Sequence, residues 1–473
     1  MHYSRIIFSN LCAVLLLVPC ASAQTDQIDA YVRADMARRH IPGVSLVVIK
    51  DNKLIKASNY GLANVELNVA VNERTSFEIA SMTKQFTDAA LLLLVEEGKV
   101  GLDDSITKYL DGLPATWRDI TIRRLMNHTA GLRDDWEEDN NFFLTKNTNE
   151  EFLHALTEAP LKFKPGERYG YGCGPFVIGM VIEKVSGKTY AQFMQERIFD
   201  PLGMTSTHVN DPFRIVPDRA SGYAFKDGAL KNGVRISPAA EARGDVGIRT
   251  TALDLARWDG AMNDTRLLKP SSLEAMFSWA RLNDGSTAPS GLGWLMFPVR
   301  GHAVAQHGGG FRTGFSSTIN RYLDDHLTVI ILNNLWRGSA NDTGHIIAGF
   351  YNPDYRSASM MTARPDPNPH RTDQLRRLLI LLKNGGNDAK LTALTTANFP
   401  FTIYEPDDWS RLVTGMKSFS FIDCQDVSAR RTNLFRATVN KICFYKVAGE
   451  EEKYISFALT AEGKVAYIEP YDY

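Results

Sequence analysis

Ser81-Met82-Thr83-Lys84 opens a stretch that runs through the apolar segment Ala89–Val95 and stops at Gly98. The pattern predicts a helix over 81–97, ended by the glycine. Residues three apart share a helix face, so the Ser81 hydroxyl and the Lys84 amine are brought together. A hydroxyl is a weak nucleophile until a base takes its proton. A lysine can be that base once desolvation or neighbouring positive charge favours its neutral form. The apolar run predicts a buried helix and a partly desolvated Lys84, and the start of a helix favours developing negative charge at Ser81. The plainer reading is an N-cap serine beside a solvated lysine. The same spacing recurs in Ser105-Ile106-Thr107-Lys108, which follows Asp103-Asp104 in a polar turn and reads as an N-cap.

Strand signals lie on both sides of this stretch. Val44–Lys50 and Lys53–Tyr60 are joined at Asp51-Asn52, a hairpin signal. Further strand signals fall at 302–306 and 315–332, where Leu327–Leu332 is an apolar run of the buried type, and a Gly-rich turn is expected from His307. Helical patterns cover 26–39 and 340–351, and residues 100–290 mix helices with long loops. This order predicts an α+β domain over 24–352, with an antiparallel sheet built from both chain ends and a helical insertion between them. Pro353, Pro365, Pro367 and Pro369 mark a linker over 353–371. A small α+β domain is expected over 372–473, with an amphipathic helix at 372–384 and strands near 416–427, 434–447, 453–460 and 464–470.

The 473 residues carry 53 Lys+Arg against 54 Asp+Glu, a net charge of −1, so no basic field exists to attract nucleic acid. With 44% hydrophobic and 23% charged residues the composition excludes a disordered chain, a coiled coil or a fibre. Residues 1–23 read as a secretory signal: Arg5, an apolar run from Ile6 to Pro19, then Ala21-Ser22-Ala23 before Gln24. The alternatives are a membrane anchor, for which the run is short, or lipid attachment at Cys20. The expectation is an exported protein, periplasmic or secreted, with no membrane-spanning segment after cleavage. Cys12 and Cys20 leave with the leader, so Cys173, Cys424 and Cys443 remain in an oxidising compartment. The histidines show no H-x-x-x-H pair and no Cys/His cluster, so neither a metal nor another cofactor is expected.

Other segments add weight to Ser81. They are Tyr169-Gly170-Tyr171-Gly172-Cys173 after Pro165-Gly166-Glu167, His307-Gly308-Gly309-Gly310 before Phe315-Ser316-Ser317, and Asn127-His128-Thr129-Ala130-Gly131-Leu132. Ile182–Lys188, Pro201-Leu202-Gly203-Met204, Thr250–Trp258 and Gly291-Leu292-Gly293-Trp294 belong to the same set. Together, over about 28–350, they make the sequence resemble the family of penicillin-binding proteins, class C β-lactamases and their esterase and D-peptidase relatives. The resemblance implies a β-lactamase/transpeptidase-like fold. It implies Ser81 as the acylated nucleophile, Lys84 as proton acceptor and Tyr171, the tyrosine of the family's Y-x-N element, as proton relay. It implies His307-Gly308-Gly309 in place of K-T-G, in the H-x-G form of many peptidase and esterase members. The oxyanion hole would be the backbone N–H groups of Ser81 and Gly310, with Cys173, Gly308, Gly309 and Arg312 along the substrate.

Two departures bear on function. The Asn of Y-x-N is Cys173, and a thiol does not replace a group that both donates and accepts. His307 stands where β-lactamases hold a substrate carboxylate with lysine; Arg312 is a candidate for that charge. Tyr169 is an alternative to Tyr171, and His128 reads as a structural hydrogen-bonding residue. The implied activity is an exported serine hydrolase acting through an acyl-enzyme on a small ester or peptide amide, with a sensing or binding module or a β-lactamase as alternatives. The small domain reads as a packing or partner-binding accessory, and oligomeric state is left open. Cys424 and Cys443 occupy successive strand patterns, and their positions sum to 867, centring a hairpin at Asn433–Leu434. Opposed in this way they predict a disulfide; two free thiols, or pairing of either with Cys173, remain alternatives.

Overall fold

The computed structural model describes residues 20–133, 148–384, 389–397, 399, 406–430, 433–434, 436–449 and 452–469. Most of the expected leader lies outside them, and helix α1 (Cys20–Arg39) begins within its last residues. The apolar run after α1 forms strand β1 (Gly43–Lys50), and the Asp51-Asn52 turn returns the chain as β2 (Lys53–Asn64). Helix α2 (Thr83–Glu96) and helix α3 (Gly174–Ser186) lie in the insertion. The sheet resumes with β3 (Val304–Phe311), β4 (Phe315–Tyr322) and β5 (Leu327–Asn333), and helix α4 (Ala340–Tyr351) follows.

The sheet order is β3-β4-β5-β1-β2, with a two-residue strand, Val69–Ala70, at the far edge. Its centre is the antiparallel pairing of β1 with β5, from Val44↔Asn333 to Lys50↔Leu327. Alternation along the strands explains why both runs are apolar throughout. Leu46, Val48, Val329 and Ile331 face one core with Ile28 and Val32 of α1 and Ile347 of α4. Val47, Ile49, Ile330 and Leu332 face the other, with Phe86 and Leu92 of α2 and Ile178 of α3. Each such side chain contributes at most about 1.5–3 kcal/mol by burial. The sheet is made from both ends of the domain, as expected, with the helical insertion between them.

One local expectation is corrected. His307-Gly308-Gly309-Gly310 is not a turn but the body of β3, in register with Ile319, Thr318, Ser317 and Ser316. The glycines serve a close approach: a Cβ on Gly309 would lie 2.0 Å from the Ile79 carbonyl oxygen. The turn itself is shorter and later, between Phe311 and Phe315.

Two short turns, Pro353–Tyr355 and Ala358–Met360, precede helix α5 (Pro369–Lys383), whose N-cap is Asn368. The following strands are β6 (Ser418–Asp426), β7 (Lys441–Ala448), β8 (Glu452–Leu459) and β9 (Val465–Glu469), paired in that order. Where one strand was expected over 434–447, a small hairpin of Asn433–Leu434 with Ala437–Thr438 comes before β7. Leu375, Leu378, Leu379 and Leu382 of α5 form a helical stripe against Tyr445, Phe457 and Ile468. The opposite face, with Ile422 and Phe444, receives Ala358 and Trp279. Cys424 lies directly opposite Cys443, and a disulfide joins them.

Candidate active site

Ser81 stands on a tight turn. Ala80–Met82 forms a single 3-10 turn that runs directly into α2. Ala80 has φ +45°, a left-handed conformation that costs a residue with a Cβ roughly 1–3 kcal/mol. Surrounding bonds hold the turn in place. The Ser317 hydroxyl donates to the Ile79 carbonyl at 2.8 Å, the Ile79 N–H donates to Ile248 at 3.0 Å, and the Ile248 N–H donates to the Thr83 hydroxyl at 3.0 Å. With Gly309 against Ile79, this turn is pressed onto β3, so Ser81 and the Gly-rich strand approach one another through backbone.

Lys84 is one helical turn from Ser81 and 3% exposed. Its Nζ donates to the Ser81 Oγ at 3.2 Å and to the Asp245 carbonyl at 3.1 Å. The pair therefore already has the contact needed for proton transfer. Ser105 stands elsewhere, as the N-cap of the short turn Ile106–Lys108, and accepts from the Thr107 N–H.

Tyr171 comes from the loop before α3. Its ring centroid is 5.1 Å from Lys84 Nζ and 6.2 Å from the His307 ring. His128 grips this loop on both sides of the tyrosine. Its carbonyl accepts from the Gly170 N–H at 2.9 Å, and its Nδ1 accepts from the Gly172 N–H at 3.2 Å. The His128 ring lies against Tyr171, with centroids 4.5 Å apart. Tyr169 packs with Ala280 and Ala288, a cluster Tyr171 also borders, and its ring meets His128 edge-on with centroids 6.2 Å apart. Cys173 is buried in the main core, and its thiol donates to the Arg133 carbonyl at 3.5 Å.

Both histidines are neutral. Burial first, then the Lys84 charge, pushes the His307 imidazole down to about 3. Burial, Lys84 and His307, in that order, hold His128 well below its ordinary value. The hydrogen bonds fix opposite tautomers. His307 Nδ1 lies 2.6 Å from the Gly308 carbonyl, which can only accept, so its Nε2 carries the lone pair. His128 accepts at Nδ1, so its Nε2 carries the hydrogen. Both Nε2 atoms are buried without a hydrogen-bond partner among the described residues.

Gly310 is exposed at the end of β3, in register with Ser316. Arg312, in the β3–β4 turn, has its guanidinium 5.9 Å from the Trp336 ring centre. Ser81, Lys84, Tyr171 and His307 thus form one cluster, with Gly308, Gly309 and Gly310 along its strand wall. Sequence reasoning missed the Asp245 carbonyl, which has no side-chain signature; it read His128 as a structural hydrogen-bonding residue, as its bonds to Gly170 and Gly172 show, but not that Tyr171 is what those bonds hold. The Asn127–Leu132 motif was the available signal for the second. Among the described residues, no group of three or more His, Cys, Asp or Glu is placed to hold a metal ion. No described helix is long and apolar enough to cross a membrane.

Known proteins resemble this chain in sequence and in fold. The Beta-lactamase family model matches residues 28–350. Penicillin-binding protein 4* of Bacillus subtilis is 30% identical over 323 residues, spanning 63% of this chain and 69% of its own. A D-aminopeptidase of Brucella anthropi is 29% identical, over 67% of this chain and 60% of its own. Among solved structures, the D-amino acid amidase of Ochrobactrum anthropi SV3 is 25% identical with a TM-score of 0.61, covering 70% of this chain and 99% of its own. A penicillin-binding protein homologue from Pyrococcus abyssi, 21% identical, shares the fold over 92% of this chain and 90% of its own, with a TM-score of 0.62. The chain belongs to the Beta-lactamase family and is a serine hydrolase of the penicillin-binding-protein type.

Proposed function

We propose that this chain is an exported hydrolase that cleaves small esters or peptide amides through an acyl-enzyme at Ser81, with amides of D-amino acids the class to test first. The observation that carries the reading is the 3.2 Å contact between Ser81 Oγ and a buried Lys84. The Ser81 proton passes to Lys84 Nζ as Oγ bonds to the substrate carbonyl carbon. The carbonyl oxygen takes the negative charge and is met by the N–H groups of Ser81 and Gly310. One such donor is worth roughly 2.7–4 kcal/mol. The bond to the leaving group then breaks, and that group receives a proton by way of Lys84 and Tyr171. Water repeats the sequence on the ester to release the acid.

The D-amino acid preference rests on the names of two relatives, a D-aminopeptidase and a D-amino acid amidase. A neutral His307 where β-lactamases carry lysine, and a Cys173 turned into the core, argue against efficient β-lactam turnover. Export rests on the residue pattern of 1–23.

The test combines fluorophosphonate labelling with a panel of p-nitrophenyl esters, D-amino acid amides and a chromogenic cephalosporin. Labelling of wild type, its loss in Ser81→Ala, and turnover of an ester or amide are expected. Unlabelled wild-type protein, or a cephalosporin turned over as fast as the best ester, would overturn the reading. Cell fractionation tests export, which fails if the full chain stays in the cytoplasm uncleaved.

A further inference from the structure

Asp88 is the most anomalous side chain of α2. It lies four residues beyond Lys84, on the same helical face, and is 0% exposed. Both of its carboxyl oxygens are buried with no hydrogen-bond partner among the described residues. An isolated carboxylate in such a place is costly, and a protonated carboxyl leaves its O–H without an acceptor. The residues around it offer no relief. Thr87 spends its hydroxyl on Tyr190 and the Gly244 carbonyl. Arg243 and Asp245 are paired with each other in a buried bidentate contact. Glu183 accepts from the Tyr190 N–H.

We propose that Asp88 is a positioning residue that shares a single proton with Lys84 and so sets how readily the amine accepts the proton of Ser81. The proposal rests on the reading of Ser81 and Lys84 given above. Two arrangements hold the same number of protons: a carboxylic acid with a neutral amine, and a carboxylate with an ammonium. Only the first leaves a lone pair on Nζ for the Ser81 proton. Burial strongly opposes ionisation of Asp88, and Lys84 is the one charged group that favours it. Of the other charged groups on elements packed around α2, Lys184, Glu196 and Arg197 pair with Asp111, Lys188 and Glu97 at the surface and Glu274 is exposed, which leaves Tyr190, Glu183, the Arg243–Asp245 pair, His128 and His307. Tyr190 is held protonated by burial, and both histidines are neutral. The exchange is therefore between Asp88 and Lys84.

The pH dependence of the fluorophosphonate labelling rate reads this directly, in the full-length protein and without a known substrate. Asp88→Asn keeps the shape but cannot hold the negative charge, so it removes the carboxylate–ammonium arrangement. The acid limb of the labelling rate is expected to move to lower pH by about one unit in Asp88→Asn. Asp88→Ala, which also removes the charge, should move it the same way. A limb that stays in place, or moves to higher pH, in either folded variant overturns the proposal. If neither variant folds, infrared titration of the wild type decides. A buried carboxylic-acid band that weakens over the pH range of the labelling limb is expected, and a constant band overturns the proposal. Wild type that labels at no pH refutes the Ser81 reading and this one with it. A wild type that labels normally while the variants keep its limb refutes this one alone.

Discussion

Three consecutive glycines in β3 meet three different surroundings, and only one of them has to be glycine. A methyl group on Gly309 would lie 2.0 Å from the Ile79 carbonyl oxygen and 2.6 Å from Ser317 Oγ. Ordinary contact begins near 3.4 Å, so the Ile79 backbone would have to withdraw by about 1.4 Å. That carbonyl is two residues from Ser81 and accepts the Ser317 hydrogen bond, so the turn carrying Ser81 moves with it. A misplacement of about 1 Å at a reacting group costs on the order of 100-fold, and losing an oxyanion donor costs about 100- to 1,000-fold. Overpacking adds a stability loss of roughly 1–3 kcal/mol. Gly308→Ala is the control: its methyl meets nothing nearer than the Ser317 carbonyl at 3.7 Å. The assay is the labelling rate of Ser81 together with Tm, measured on both variants. Gly309→Ala should label at least about 100-fold more slowly than Gly308→Ala while remaining folded. Equal rates would refute the claim that β3 positions the nucleophile through this contact.

Ser81→Ala should abolish labelling and turnover, whereas Ser105→Ala should cost no more than about 1 kcal/mol as the loss of an N-cap, with unchanged kcat/KM. Acid should destabilise the fold well before the carboxylates titrate. His307 and His345 are both pushed down to about 3 by burial, so the folded state binds fewer protons than the unfolded chain below about pH 6.5. Their contribution is fully present above that pH and is lost as pH falls toward 3. Asp88, Glu241 and Asp342, raised by burial, act with the opposite sign and offset part of it. A net loss of about 1–3 kcal/mol between pH 7 and 5.5 is expected, and a Tm that is flat or rises over that range would contradict it. The 424–443 disulfide spans a sequence separation of 19 residues. Its removal in Cys424→Ser/Cys443→Ser should cost the small domain roughly 3 kcal/mol without changing the labelling rate, as seen by denaturant unfolding and fluorophosphonate kinetics.

The sheet was legible because its strands announce themselves. Runs such as Leu327–Leu332 are apolar at every position only when both faces are covered. The Ser81–Lys84 pair was legible because one helical period fixes it. His307–Gly310 misled because glycine signals a turn far more often than a strand that must touch another backbone, and the Ile79 carbonyl that demands it lies 230 residues away. His128 and Asp245 act mainly through backbone and ring placement, which no spacing rule encodes. Asp88, set just before the apolar run of α2, was visible in the sequence, but its lack of a hydrogen-bond partner among the described residues could be seen only once its neighbours were placed.

The pairing of β1 with β5 has a kinetic meaning. Val44 must wait for Asn333, 289 residues later, before the centre of the sheet exists. Contacts of such sequence separation bear their chain-closure entropy before any burial rewards it, so the domain is expected to fold slowly for its size. Until then β1 and β2 form at most a hairpin with apolar faces and an open edge, a template for misassociation during synthesis. The β3 wall against which the Ser81 turn is pressed arrives equally late. A chain interrupted or held before residue 311 therefore has Ser81 and Lys84 one turn apart but lacks the strand wall against which they are set.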